Sequence, residues 1–540
     1  MKQSKYLFYI LIALAAASCT KKIDGKEINP NVPSSVPPQL ILGTLLNDMA
    51  GNGPQGALGG TLSWGEVAQW DQYHCQNYDY YGTNIYSWAA TNASFDPYLV
   101  MQNEKQMELE AKTRGTSAVN PYEAVGRFVK AYYYYHLTSM YGDIPLETAL
   151  EGPEVTTPTY STQEKVFAYI LSQLDSANSE LATLIAANDN SLSAAQDIYY
   201  GGVLTSWQKA VNSFKLRVLV SLSNQASDAT LNVAAQFAAI LNSPSTYPVF
   251  ASEGDDLAFV FNPGGTSTYS TYPFNPSNFG SIAGRFNMAA TYVSALTTIN
   301  DPRVFITCDP AWALVTNVDS PAQYQFFVGA STGLDLGQMY GNASAGDYSF
   351  IGRYRYYSNF TGDPDVLVGY KEMCFNIAEG IERGWASGSA ETWYQNGIKA
   401  SMAFYGIDIS QKPQTAHFLP PGANSVTQIA PYSYNFDWTA YYAQPTVKLS
   451  ATPATAINQI VLQKYIVCFE NSAYEGYFNW RRTGTPAFQA GTGVGNGGVI
   501  PLRWAYPVGE QTQNGKNWQA ALSSQGFSAD DLNQTMWLIK

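Results

Sequence analysis

The stretch RFVKAYYYYHLTSMYGDIPL, residues 127–146, decides the fold. Val125, Phe128, Val129, Tyr132, His136 and Met140 recur at three- and four-residue spacing, so it reads as a helix with one apolar face. Ala131 is small enough to let a neighbouring helix approach closely. Gly142 can take the left-handed conformation that ends helices, and Pro145 cannot continue one. A helix this aromatic needs a partner along its length. The next long periodic segment, residues 162–184, supplies one, so the expected unit is a helical hairpin.

The same periodicity recurs over residues 39–49, 97–113, 123–141, 162–187, 204–226, 230–242, 370–384, 391–405 and 454–470. Several of these fall in pairs joined by short links, and Ala378, Gly380, Gly384 and Ala400 supply close-approach positions within one pair. Paired antiparallel helices with small residues at their contacts predict tetratricopeptide-like stacking, a mainly α fold with only minor β. Long irregular stretches lie between the helical blocks, at residues 51–95, 243–284, 311–362 and 411–453. They exceed the loops of a minimal domain and read as elaborations on the scaffold, where function is expected to sit.

The N-terminus reads as an address. Lys2 and Lys5 precede an apolar run over residues 6–17, too short for the ~20 residues that span a bilayer. With small residues at its end, this is a secretory signal peptide, residues 1–18. Ala16, Ala17 and Ser18 stand directly before Cys19, which resembles the bacterial lipoprotein box. That resemblance implies an exported protein acylated at Cys19 and anchored by lipid rather than by a spanning helix. Residues 19–38 are then a polar, Pro-rich tether, and residues 39–540 a single globular domain.

Removing residues 1–18 takes two lysines, leaving 27 basic against 42 acidic residues and a net charge of −15. An exported chain this acidic is a poor binder of nucleic acid or anionic lipid through charge. Only 13% of residues are charged while 14% are aromatic, so much of the surface must be neutral polar and aromatic. Such surfaces suit neutral polar ligands, with rings to stack and amides and hydroxyls to bond. The remaining cysteines, Cys75, Cys308, Cys374 and Cys468, are widely spaced with no C-x-x-C, which argues against zinc. Cys374 and Cys468 fall on apolar helical faces as buried thiols. A Cys75–Cys308 disulfide is open on sequence grounds.

Five blocks, in order, resemble the SusD/RagB-like (SusD-like) outer-membrane lipoproteins of Bacteroidetes. They are Arg127…Ser139-Met-Tyr-Gly-Asp-Ile-Pro-Leu146; Asp197-Ile-Tyr-Tyr-Gly-Gly with Trp207 to Arg217; Asp301-Pro-Arg303; the pair around Tyr370-Lys-Glu, Ala378-Glu379 and Tyr394-Gln-Asn-Gly-Ile398; and Gln463-Lys-Tyr465 with Glu475-Gly-Tyr-Phe-Asn-Trp-Arg-Arg-Thr-Gly484, then Pro501-Leu-Arg503 and Tyr506-Pro507. The resemblance implies tetratricopeptide-like hairpins carrying irregular insertions. It implies a partner, a SusC-like TonB-dependent outer-membrane β-barrel on which the lipoprotein sits as a lid, with cell-surface display. It implies capture of glycan or peptide for import, without catalysis. Asp143, Pro145, Arg217, Arg481 and Arg482 are then expected to be structural, pairing with carboxylates or ordering helix ends.

Ligand candidates follow from the aromatic clusters. Residues 64–98 hold ten aromatic side chains, among them Trp64, Trp70, Tyr73, Tyr80, Tyr81 and Trp88. Sugar rings present apolar C–H faces that an exposed Trp or Tyr covers, while Gln69, Asp71, Gln76, Asn77, Asp79 and Asn84 are interleaved to bond hydroxyls. Substituting Trp70 and Trp88 is expected to weaken ligand binding with little effect on melting temperature. Tyr269, Tyr272, Phe274 and Trp312 form a second candidate group.

Signals for chemistry are sparse. His74, His136 and His417 are the only histidines, and His136 sits on an apolar helix face as a core residue. H-E-x-x-H does not occur, and the glycine-rich run 491–498 lacks the lysine of a phosphate loop. No cofactor is expected, although Asp255-Asp256 and Asp363-Pro-Asp365 could hold a structural calcium. The leading expectation is a glycan-binding lipoprotein of an importer. The alternatives are a peptide binder of the same type and a secreted polysaccharide-degrading enzyme, which needs two carboxylates flanking the substrate.

Overall fold

The computed structural model describes residues 35–51, 65–262, 271–316, 321–410, 412–469 and 471–540. The signal segment, Cys19 and the first part of the tether lie outside them. Ten helices carry the scaffold: α1 (Pro38–Met49), α2 (Pro97–Thr113), α3 (Pro121–Tyr141), α4 (Gln163–Ala186), α5 (Leu204–Ser221), α6 (Val233–Asn242), α7 (Tyr370–Glu382), α8 (Ala390–Phe404), α9 (Pro453–Val467) and α10 (Glu475–Thr483). The fold is mainly helical, as the periodicity predicts. Among the described residues, sheet is confined to two-stranded antiparallel ladders: β1 (His74–Gln76) with β5 (Phe286–Met288), β2 (Ile144–Pro145) with β3 (Tyr160–Ser161), β4 (Leu257–Phe259) with β6 (Asp365–Val368), and β7 (Gln414–Phe418) with β8 (Ala430–Tyr434).

The quoted stretch forms α3. Asn120 caps it by accepting the Glu123 amide at 3.1 Å, and Pro121 stands at its first turn, where no amide partner is needed. Gly142 ends it at φ 92°, its amide bonded to Thr138 O at 2.9 Å. The α3–α4 hairpin is the most extensive helix contact, closed by the β2 (Ile144–Pro145) and β3 (Tyr160–Ser161) ladder. Asp143 sews it, accepting the Gln163 amide at the start of α4 at 2.9 Å and the Ser524 hydroxyl at 2.5 Å.

One expectation is corrected. α3 is not apolar on a single face: every residue except Arg127 is buried. It packs against α2, α4 and α5, so its tyrosines point several ways into protein, which is where a helix aromatic all round must lie. His136 shares this core, its Nδ1 2.9 Å from Tyr132 O, and burial pushes it down to about 3, so it is neutral at pH 7. The pairs continue through the chain as α4–α5, α7–α8 and α7–α9.

Charges join these layers. Arg217 on α5 donates from Nε to Glu372 on α7 at 2.9 Å and from a terminal nitrogen to Leu367 O at 2.7 Å. Lys464 on α9 lies 3.5 Å from Glu372 and donates to Asn376 at 2.7 Å. Glu475 on α10 accepts from Tyr135 on α3 at 3.1 Å. Arg482 grips Glu379 with two nitrogens, and Arg481 donates to Leu502 O at 2.8 Å and Ser139 O at 2.7 Å. Burial alone would raise Glu372 and Glu379, yet Arg217 and Lys464 hold the first, and Arg482 the second, at about 2. The family arginines are therefore structural.

All four described cysteines are free and buried. The Cys75–Cys308 bridge does not form: Cys75 pairs in β1 (His74–Gln76) with β5 (Phe286–Met288), whereas Cys308 bridges to Ile351. Three of the four calcium candidates are occupied by cations and amides of the chain. Asp255 holds Lys209 at 2.8 Å, Asp256 accepts the Tyr370 amide at 2.6 Å, and Asp363 holds Arg355 at 2.8 Å. No group of metal-ligating side chains occurs among the described residues.

Candidate functional site: an exposed tyrosine platform

The aromatic-rich loop after the short helix Glu66–Trp70 is divided by the structure into a buried base and an exposed crest. The base contains most of the expected ligand rings. Trp88 has no exposed surface and stacks on Trp504 with centroids 3.5 Å apart. Trp70 lies edge-on to Trp88 at 5.6 Å and donates its indole N–H to Ile85 O at 3.2 Å. Tyr73 stacks on Tyr465 at 4.7 Å, and each hydroxyl bonds backbone beside the other. Tyr272 is equally buried, and Phe274 stacks on Tyr357 at 5.3 Å. Trp70, Tyr73, Trp88 and Tyr272 thus offer core rather than a ligand face: the first three meet Tyr474, Tyr465 and Trp504 from far along the chain, and Tyr272 packs against Phe261 and Phe274. A cleft of about 250 Å³ runs past Trp70 and Trp88, but Trp88 adds no accessible surface to it. Trp64 and Tyr269 lie outside the described residues.

The interleaved amides are also turned inward. Asn84 accepts the Gln76 amide at 2.7 Å and returns a bond to Gln76 O at 2.9 Å. Asn77 donates to Gly284 O at 3.0 Å and Asn287 Oδ1 at 2.8 Å. Asp71 accepts the Tyr477 amide at 3.1 Å. Of the six polar residues singled out, Asp79 alone is exposed. The other five shape or support the loop.

The crest stands on this base. Tyr80 is 79% exposed and Tyr81 48%, their rings perpendicular with centroids 5.0 Å apart. Tyr78 joins them, 5.5 Å from Tyr81. Two partners come from far along the chain. Tyr340, 47% exposed, stacks on Tyr78 at 4.5 Å. The Arg285 guanidinium covers the Tyr81 ring at 3.5 Å, a contact worth about 0.5–1 kcal/mol at an exposed site.

Tyr340 reaches the loop because its helix, Leu336–Ala345, is docked from beneath. Asp335 caps that helix by accepting the Gln338 amide at 3.0 Å. Its buried Met339 and Ala343 form a small cluster with Cys75 of β1. Gly346 ends the helix at φ 86°, and Trp312 lies against it so closely that a Cβ there would strike the indole. Trp312 itself is 44% exposed. One helix therefore carries Tyr340 in its middle and seats Trp312 at its end, linking the two aromatic groups that the sequence presents as separate. Tyr340 and Arg285 were missed because nothing in local spacing marks them; only the β1–β5 ladder and the Met339 contact bring them in.

The result is a surface of exposed neutral rings, held by one cation and a hydrogen-bonded loop. It can cover the apolar face of a ligand without moving a proton.

A family sequence model described as "Starch-binding associating with outer membrane" matches residues 35–507. No curated protein matches the chain. A SusD homologue from Bacteroides fragilis NCTC 9343 superposes with a TM-score of 0.77 at 26% identity, over 94% of this chain and all of that one. A second SusD homologue from the same strain gives 0.73 at 29%, again over 94% and 100%. A chitin-binding SusD homologue from Flavobacterium johnsoniae gives 0.68 at 20%, over 93% and 98%, and shares the fold. No helix among the described residues is long and apolar enough to cross a membrane.

Proposed function

This chain belongs to the SusD-like family, described as starch-binding and associating with the outer membrane, and from that premise we propose that it is a glycan-capturing lipoprotein of a nutrient importer. Acylated at Cys19, it is held at the outer membrane, faces the cell surface, and passes oligosaccharide to a SusC-like TonB-dependent barrel. It binds and does not catalyse.

The observation that carries this reading is the crest of Tyr78, Tyr80, Tyr81 and Tyr340, fixed from below and open above. A sugar ring laid on Tyr80 or Tyr81 covers an apolar face at little entropic cost, since the loop is already ordered by Asn77 and Asn84. Trp312 provides a further exposed ring for a longer chain. The chitin-binding relative supports glycan as the ligand class. Peptide, the other ligand expected from the resemblance, is the competing outcome of the test.

The double variant Tyr80→Ala/Tyr81→Ala is expected to bind its preferred polysaccharide ~30–100-fold more weakly, at ~1 kcal/mol or slightly more per stacked ring. Its melting temperature should fall by no more than about 2 °C, because both rings are exposed and the Arg285–Tyr81 contact is weak. Affinity electrophoresis against starch, chitin and hemicellulose gels, alongside a peptide library, measures this. Unchanged migration of the variant in every gel that retards the wild type would reject the platform. For the anchor, Cys19→Ala should shift the protein from the membrane to the soluble fraction and abolish palmitate labelling; retained label would refute acylation at Cys19. Detergent extracts of the wild type should co-purify a TonB-dependent barrel.

A further inference from the structure

A second cleft lies away from the platform, between the run Arg353-Tyr-Arg-Tyr-Tyr357 and the hairpin of β7 (Gln414–Phe418) and β8 (Ala430–Tyr434). Alternation along β7 decides what the hairpin presents. Gln414, Ala416 and Phe418 are buried, so Thr415 and His417 face outward together. His417 stacks on Tyr354 with centroids 3.6 Å apart and planes 12° from parallel. Tyr354 remains 47% exposed, so the pair is a wall and not a core contact. The opposite side is polar. Arg355 donates from Nε to Asp363 at 2.8 Å and to Phe404 O at 3.0 Å, which fixes both ends of its guanidinium. The rim turn is ordered by Asn359, whose side-chain oxygen accepts the Thr361 and Gly362 amides at 2.9 and 2.7 Å. Tyr272 packs beneath that turn, at Gly362.

The cleft has a volume of about 330 Å³, at the lower end for small-molecule sites and enough for one hexose. Its walls match the two kinds of surface such a ring has. A flat aromatic pair answers the C–H face, and a fixed guanidinium–carboxylate pair with Thr415 and Asn359 at the edge answers the hydroxyls, donating and accepting side by side. The ion pair is already made, so the cleft carries no loose charge to attract an ionic ligand. Burial lowers His417 below the usual histidine range, which keeps the stacked ring neutral at pH 7. A broader groove of about 650 Å³, lined by Asn396, Lys399 and Asp408, borders the cleft at Gly406, which lines both.

We propose that the Tyr354–His417 cleft is a second binding site, separate from the tyrosine platform, which takes a single neutral pyranose unit. It does not depend on the import reading, because its walls share no residue with the platform.

The test titrates the full-length protein with methyl α-glucopyranoside, methyl β-galactopyranoside, methyl α-mannopyranoside and N-acetylglucosamine, each followed by saturation-transfer NMR. At least one should bind saturably. Tyr354→Ala should weaken it about tenfold or more, with the melting temperature held because the ring is half exposed. Thr415→Arg, which fills the cleft from an exposed strand position, should abolish it. Because the platform can itself take a sugar ring, both cleft variants are also made in the Tyr80→Ala/Tyr81→Ala background, where binding should persist without them and be lost with them. The proposal is overturned if no pyranoside binds, if binding survives both cleft variants in that background, or if it vanishes in the platform variant alone. The last result would leave the platform standing and remove only the second site.

Discussion

Arg217→Met is expected to lower the unfolding free energy by about 3–5 kcal/mol, read as a shift of the urea midpoint at pH 7. The arginine is 2% exposed and faces two carboxylates that are equally buried, Glu372 within hydrogen-bonding distance and Glu475 at 3.8 Å. Methionine fills much of the volume but supplies no charge. Lys464 remains beside Glu372 and cannot neutralise both acids. Glu475 is already pushed up by burial, against the pull of Arg217, so losing the guanidinium removes the main influence keeping it ionised. The protein must then protonate a buried acid or hold it uncompensated, and either course costs stability. Arg217→Lys should recover only part of the loss, because an ammonium cannot bond Glu372 from two nitrogens while also reaching Leu367 O. Since these residues lie on α5, α7 and α10, with Lys464 on α9, the defect should loosen the stacking of separate hairpins. A midpoint within about 1 kcal/mol of wild type would show that the network contributes little and that apolar packing alone aligns these helices.

The same network explains which parts of the fold are legible in the sequence. The long amphipathic helices announce themselves: the expected 97–113 coincides with α2, and 370–384 and 391–405 each lie within two residues of α7 and α8. Their starts and stops are written in local chemistry, as Asn120 and Gly142 show for α3. α10 escapes this reading because its pattern is inverted. Glu475, Arg481 and Arg482 point inward to partners on other helices, so charge no longer marks the solvent face. Similarly, 204–226 reads as one helix, whereas α5 stops at Ser221 and a separate 3₁₀ turn, Ser223–Gln225, follows. The candidate site was legible only in part. Composition located the aromatic loop and, within it, Tyr80 and Tyr81. It could not sort those from Trp70, Tyr73 and Trp88, because an irregular segment has no period from which to deduce a face. What sorts them is tertiary: Trp504, Tyr465 and Tyr474 bury some rings, while Tyr80 and Tyr81 keep much of their surface in solvent.

That sorting makes its sharpest claim at Trp88. Trp88→Ala is expected to destabilise the protein by about 3–5 kcal/mol, the range for truncating a large buried aromatic, although the sequence alone suggested a ligand-facing ring whose loss would leave the melting temperature unchanged. The indole is sealed between Trp504 at 3.5 Å, Tyr477 and Tyr86 at 4.8 Å and Trp70 at 5.6 Å. Neighbours this rigid, themselves tied by bonds such as Tyr86 to Trp70 O at 2.6 Å and Tyr477 to Pro501 O at 2.6 Å, cannot collapse into the hole. Trp88→Phe separates the causes. It keeps a stacking ring, and it removes an indole N–H that is buried without an acceptor, so the smaller cavity is partly offset and most of the stability should survive. Because the crest stands on this base, Trp88→Ala should also weaken glycan binding, but only by disordering the loop: added osmolyte that restores the fold should restore affinity. The double variant Tyr80→Ala/Tyr81→Ala should show the reverse, full stability with no osmolyte rescue of binding. If Trp88→Ala keeps a wild-type midpoint, the indole faces solvent, the division between base and crest is wrong, and Trp88 returns as a ligand ring.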